Sequence, residues 1–213
     1  MRESENTKYV VLADVIDSRK IENRREFEST LIDAFDFVND SERESISTPF
    51  TQMKGIDEFG CVLTELSPLP DILSAILDRI HPSSARFAIA GGDIDIGADC
   101  ETVAQMDGPA FHLASALLDE VEENELYVGV DTGTECDGLV SSALNLLLLE
   151  RENLTDRQVE VILAYERHGT QSKAGEELGL QQQAVSNALH RSNYTRRLRI
   201  RGTLRKALTA IYD

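Results

Sequence analysis

Residues 8–13 form a short, β-branched, nearly continuous apolar run that ends at Asp14, the pattern of a strand buried on both faces. From residue 23 to 39 the period changes. Phe27, Leu31, Phe35 and Val38 are spaced four, four and three apart, which predicts an amphipathic helix. Two strands are expected at 48–54 and 58–66, joined by Gly55, Ile56 and Asp57 as a hairpin with an acidic tip. Pro70 sits where a helix can begin, and Ile72, Ala75, Ile76 and Ile80 continue its period. Residues 86–90 predict another strand, halted by Gly91 and Gly92, with 93–96 as its continuation. Gly108 and Pro109 then open a helix whose Phe111, Ala114, Leu117, Leu118 and Val121 share a face. A strand at 125–131 follows. The Leu-rich stretch 139–149 reads either as a buried helix or as one that pairs with a second copy. The order strand, helix, hairpin, helix, strand, helix, strand predicts an α+β domain of ferredoxin-like character with extra elements.

Beyond residue 150 the pattern is helical throughout. Thr155 with Gln158 gives a capping box for a helix that His168, Gly169 and Thr170 interrupt. Residues 171–178 predict a second, shorter helix, and Gly179 supplies a tight turn. A third helix is expected over 181–193, with Ala184, Val185, Ala188 and Leu189 facing inward. A last helix would follow, with Leu204, Leu208 and Ile211 as its apolar seam.

Charge divides the chain at the same place. Residues 151–213 hold 11 Lys and Arg against 7 Asp and Glu, whereas residues 1–150 hold 10 against 31. The change of sign predicts two modules, 1–150 and 151–213, with different partners. The whole chain of 213 residues carries a formal charge of −17. Self-repulsion at that charge is screened in molar salt, where the Debye length is about 3 Å, so a halophilic, salt-rich cytoplasm suits the composition. No apolar run reaches the roughly 20 residues that a bilayer requires, and no secretory pattern follows Met1, so a cytoplasmic protein is expected. Cys61, Cys100 and Cys136 are far apart and lack metal-ligand spacing, which favours small buried residues over a disulfide or metal site.

Two places carry candidate chemistry. In the first module Asp14 ends a strand while Asp57 and Glu58 sit at the hairpin tip; carboxylates converging there would suit Mg²⁺, although a chance pair of loop acids fits the spacing as well. Asp17, Ser18 and Arg19 would turn into the first helix, where free N–H groups suit a phosphate. In the second module the outward positions of the third helix are Gln181, Gln182, Gln183, Ser186, Asn187, His190 and Arg191. Amide side chains bind adenine edges, and Arg binds guanine or phosphate. Arg196, Arg197 and Arg199 continue into a basic tail with Arg201, Arg205 and Lys206, suited to phosphate contacts. DNA contact and protein docking both remain open for such a module.

Four short blocks, A-D-V-I-D-S-R at 13–19, G-I-D-E-F at 55–59, R-F-A-I-A-G-G-D-I at 86–94 and M-D-G-P-A-F-H-L-A-S-A-L at 106–117, together resemble the SatD family. They are also similar to the landmarks of nucleotidyl cyclase and GGDEF-type palm domains. The resemblance implies a palm-like sheet in which Asp14, Asp57 and Glu58 hold a divalent cation beside a nucleotide triphosphate, with Lys54 among the nucleotide contacts. It also departs from cyclases. The helix positions that carry a transition-state Asn and Arg in cyclases are His112 and Ala116 here, which argues against cyclase turnover. The stretch from Leu154 to Ser192 resembles the helix-turn-helix of sigma region 4 and LuxR-type regulators.

The expectation is therefore a DNA-binding regulator, acting as a homodimer on paired half-sites, whose first module senses a ligand or dimerises. The alternative is a metal-dependent nucleotidyltransferase with a nucleic-acid-binding tail. An adaptor that uses both modules for protein contacts is a third reading.

Overall fold

The first apolar run forms strand β1 (Tyr9–Val15) in the computed structural model, which describes residues 8–213. The reading of the extreme N-terminus falls on residues 1–7, outside the described residues. Helix α1 (Arg24–Ser41) follows, capped by Asn23, whose side chain accepts the Glu26 N–H. Strands β2 (Ile46–Lys54) and β3 (Glu58–Leu63) make the expected hairpin, and α2 (Leu69–Arg79) leads into β4 (Ala85–Gly91). Then come α3 (Pro109–Glu123), β5 (Val128–Asp131) and α4 (Asp137–Arg151). The chain is a mixed α+β structure with one five-stranded sheet in the order β2-β3-β1-β4-β5. β1 lies at the centre, antiparallel to both neighbours, and only the β4–β5 pair is parallel. That parallel pair requires a crossover, which α3 provides.

Alternation along β1 sorts its side chains onto two faces. Tyr9, Val11, Ala13 and Val15 join the larger core beneath α1 and α2, where Phe35, Phe50, Phe59 and Phe87 lie ring to ring at 5.0–6.4 Å. Val10 and Leu12 face α3, meeting Ala110, Phe111 and Ala114. Residues 93–96 do not extend β4. They bend back so that the Asp95 and Ile96 N–H groups both reach the Asp107 carbonyl at 3.0 Å. Gly108 closes that loop: with φ +152, a Cβ there would lie 2.7 Å from the Asp95 nitrogen.

The C-terminal helices are α5 (Asp156–His168), α6 (Gln171–Leu178), α7 (Gln182–Arg191) and α8 (Tyr194–Tyr212). The capping box at Thr155 and Gln158 is formed, and Gly169 and Gly179 end α5 and α6 in left-handed backbone. Leu154, Val159, Ile162, Ala174, Val185 and Leu189 make a separate small core. α7 is shorter than the expected 181–193 helix, because Gln181 is its N-cap and Asn193 turns left-handed at φ 52.

α8 does not stay with that small core. Leu208 is buried in the larger core, and the Tyr212 hydroxyl donates to Asp137 Oδ1 at 2.6 Å. No helix among the described residues is long and apolar enough to cross a membrane. The Leu-rich α4 is two-sided. Val140, Leu144, Leu147 and Leu148 face the protein, while Leu139 and Leu146 are about 70% exposed.

Candidate functional site

The strand register builds a row of charges under α3. Asp14 on β1 stands opposite Glu58 on β3 and opposite Arg86 on β4. All three lie on the face away from Phe59 and Phe87, because neighbouring strand positions alternate. A cavity of about 440 Å³ opens over the row, bordered by Leu12, Met53 and Phe111 on its apolar side and by Asp107, Asp119 and Glu122 on its acidic side. Glu122 from α3 reaches across to bind Arg86 at 3.0 Å. The Asp14 carboxyl is pushed up to about 6, first by desolvation and next by the neighbouring charge of Asp57, with Arg86 acting in the opposite direction.

The hairpin tip contributes through its backbone and one carboxylate. The Val15 N–H donates to the Asp57 carbonyl at 3.0 Å, and the buried Ser18 hydroxyl donates to Asp57 Oδ2 at 3.1 Å. Asp57 is thus near enough for its charge to act on Asp14, and Ser18 fixes its carboxylate. Glu58 pairs loosely with the exposed Lys54 at 3.8 Å. Among the described residues no three His, Cys, Asp or Glu side chains gather in a way that could hold a metal ion. Asp14, Asp57 and Glu58 are therefore not a three-ligand set.

Residues 17–19 do not lead directly into α1 as the sequence suggested. Asp17 adopts a left-handed φ of 56 and pairs with Lys20 at 2.9 Å, and Ser18–Lys20 is an isolated 3-10 turn. α1 starts later, at Arg24, because Asn23 is the better cap. Its N-terminal N–H groups are therefore not presented at Ser18. His112 lies exposed on α3, 3.4 Å from Asp107 Oδ1, and Ala116 is exposed beside it. The face of α3 over the cavity carries Ser115, Asp119 and Glu122, so that helix lines the cavity with acidic and not with cationic side chains. Arg86, Asp119 and Glu122 were not singled out from sequence. Arg86 could have been found by parity with Asp14, two strands of matching alternation.

On the third C-terminal helix, Gln181, Gln182, Gln183, Asn187, His190 and Arg191 are exposed and Ser186 is partly so, while Val185 and Leu189 point inward. Ala184 is exposed, contrary to the inward placement expected from the period. Gln183 Nε2 donates to Asn187 Oδ1 at 3.3 Å, one helical turn away.

The basic tail is only partly available to a ligand. Arg196 and Arg199 are exposed, but Arg197 is buried. Its guanidinium lies 3.7 Å from Asp78, which Arg151 also grips at 2.8 Å, with all three side chains 4–7% exposed. Arg201 lies 3.4 Å from Asp71, and Arg205 binds Glu42 and Asp71 at 3.1 and 3.3 Å. These three arginines fasten α8 to α1 and α2 because the acidic first half supplies unmatched carboxylates along its path. Arg197 is a structural cation and not an outward contact.

No curated protein matches this chain. Among solved structures, a bacterial light-regulated adenylyl cyclase is similar with a TM-score of 0.41 and 12% identity, covering 58% of this chain and 74% of that one. The SatD family matches residues 9–208, from β1 almost to the end of α8. The chain belongs to the SatD family.

Proposed function

We propose that this protein is a DNA-binding regulator in which α6 and α7 act as a helix-turn-helix and the sheet module acts as sensor. The observation that carries the reading is the face of α7. Gln182, Gln183, Asn187 and Arg191 are exposed on a helix that Val185 and Leu189 anchor. A short helix, a left-handed glycine and a second helix with exposed amides is the arrangement that presents side chains to the major groove. The exposed Leu139 and Leu146 on α4 support pairing with a second copy, which two half-sites require. The order β2-β3-β1-β4, with α1 and α2 on one face, supports a ferredoxin-like, palm-type sheet.

The test begins with genomic fragments retained by the full chain in molar salt. Changing Gln182, Gln183 and Asn187 together to Ala should erase the footprint's sequence preference while leaving the fold intact by circular dichroism. An unchanged footprint would eliminate α7 as the reading helix.

A second reading attaches to the strand row. Burial and, after it, the charge of Asp57 make the Asp14 carboxylate costly to ionise, and a divalent cation held at this edge would offset that cost. In this reading Asp14 and Asp57 hold the ion of a nucleotide triphosphate, with Lys54 beside them, and the ion would screen phosphate charge. Without an Arg at the Ala116 position the site binds and does not turn over. Equilibrium dialysis of ATP and GTP should show Mg²⁺-dependent retention that Asp14→Asn and Asp57→Asn each abolish. Retention that ignores Mg²⁺ or both substitutions would refute the reading.

A further inference from the structure

A second cavity, of about 400 Å³, lies far from the strand row, in the seam between α1 and α2 on one side and α5 and α8 on the other. Phe37, Asp71 and Ile72 line the first wall; Tyr165, Glu166 and Arg201 line the second. We infer that this seam binds a small zwitterion of the apolar α-amino acid class.

Most charges around the cavity are already matched, Arg201 with Asp71 among them, and two groups keep unused hydrogen-bonding capacity. Arg205 holds Glu42 through both terminal nitrogens, at 3.2 and 3.1 Å, and reaches Asp71 at 3.3 Å. Arg201 Nε is buried and has no hydrogen-bond partner; its 3.4 Å approach to Asp71 lacks the alignment of a hydrogen bond. Glu166, on the opposite rim, has only a long 3.5 Å contact from the Tyr194 hydroxyl. Its carboxyl is raised first by burial and next by Asp78, against the pull of Arg201, Arg79 and Arg197. A ligand ammonium at Glu166 and a ligand carboxylate at Arg201 would complete both groups.

The rest of the wall suits an apolar side chain. Tyr165 and Tyr194 pack edge to face at 5.6 Å, and Phe37 is 43% exposed with one ring face covered by the Arg79 guanidinium at 3.3 Å. A polyanion would meet Glu42, Asp71 and Glu166. A simple amine would leave Arg201 Nε unpaired, and a simple acid would leave Glu166 alone. Buried polar groups without partners carry a cost, which is why the two-charge ligand is preferred. The volume falls within the range of small-molecule sites. Both walls would be held together by the occupant, so its binding would fix α5 and α8 against α1 and α2.

The experiment is calorimetric titration of the full-length chain with L-leucine and L-phenylalanine, alongside phenethylamine and 3-phenylpropionate, which each lack one charge. A saturable zwitterion signal is expected, with each single-charge analogue at least about tenfold weaker. Glu166→Gln should weaken the zwitterion by about tenfold as well. Phe37→Ala, on the exposed rim, should weaken it several-fold with an unchanged urea midpoint, and it carries the test if the Glu166 variant does not fold. No heat from either zwitterion, equal binding of the analogues, or full affinity in Phe37→Ala would overturn the inference. No DNA enters this measurement, so its outcome is separate from that of the α7 footprint.

Discussion

Asp14 is the residue at which local chemistry and global stability conflict most clearly. Its carboxyl moves from an ordinary 3.8 to about 6 on folding. Below about pH 4 it is protonated in folded and unfolded chains alike and has no effect on stability. Between about pH 4 and 6 the unfolded chain releases the proton first, so stability falls as pH rises, and above that window the loss is constant. The full shift would correspond to about 3 kcal/mol, but the group is partly exposed, and solvent reduces this to roughly 1–2 kcal/mol. Asp14→Asn should therefore stabilise the protein by about 1–2 kcal/mol in urea melts near pH 7.5 and change nothing near pH 3.5. A gain that is the same at both pH values would dissociate it from ionisation. The positions of Asp14 at a strand's end and Asp57 at a hairpin tip were legible in the sequence, because the apolar pattern sets both elements. Arg86 and Glu122 were not, because their meaning comes from a register across three strands and a helix packed on top. Arg197 was misread for a related reason. A helical period alone does not tell which side will meet Asp78, more than a hundred residues earlier in the chain.

At the scale of elements, the pattern was legible wherever burial follows a simple period: β1, α1, the β2–β3 hairpin and the capped α5 all occur close to their expected places. The departures are 93–96, where a loop bonded to Asp107 replaces a strand continuation, and α8, whose docking depends on acids contributed by α1 and α2. Asp78 on α2 is the centre of that docking, since Arg151 of α4 and Arg197 of α8 both rely on it. Removing one member of a buried ion set leaves uncompensated charge, typically at a cost of about 3–5 kcal/mol. Asp78→Ala should lower stability by that amount in denaturant melts, whereas Asp78→Leu combined with Arg151→Met and Arg197→Leu should recover much of it. If the triple variant is as unstable as Asp78→Ala, the loss is due to packing and not to stranded charge.

Over the whole molecule, the same arginines determine how salt should act. A chain at −17 repels itself, and screening relieves that repulsion as the Debye length drops from about 10 Å at 0.1 M to about 3 Å at 1 M. The Asp78 set, only 4–7% exposed, is screened far less than the surface, so added salt should raise the melting midpoint. On the proposed regulator reading, DNA affinity should move the other way, because phosphate contacts release counterions, each contributing about 0.9 to the logarithmic slope. Had every basic residue from Arg191 to Lys206 met phosphate, seven contacts would give a slope near −6 for each bound helical segment. Folding commits Arg197, Arg201 and Arg205 to Asp78, Asp71 and Glu42, leaving Arg191, Arg196, Arg199 and Lys206 on the surface. The slope should then be no steeper than about −3.5 per segment, with the α7 amides supplying a larger share of affinity as salt rises. Fluorescence anisotropy across a salt series measures it directly. A slope near −6 would require α8 to let go of the sheet module when it meets DNA, and would count against α8 as a fixed clasp.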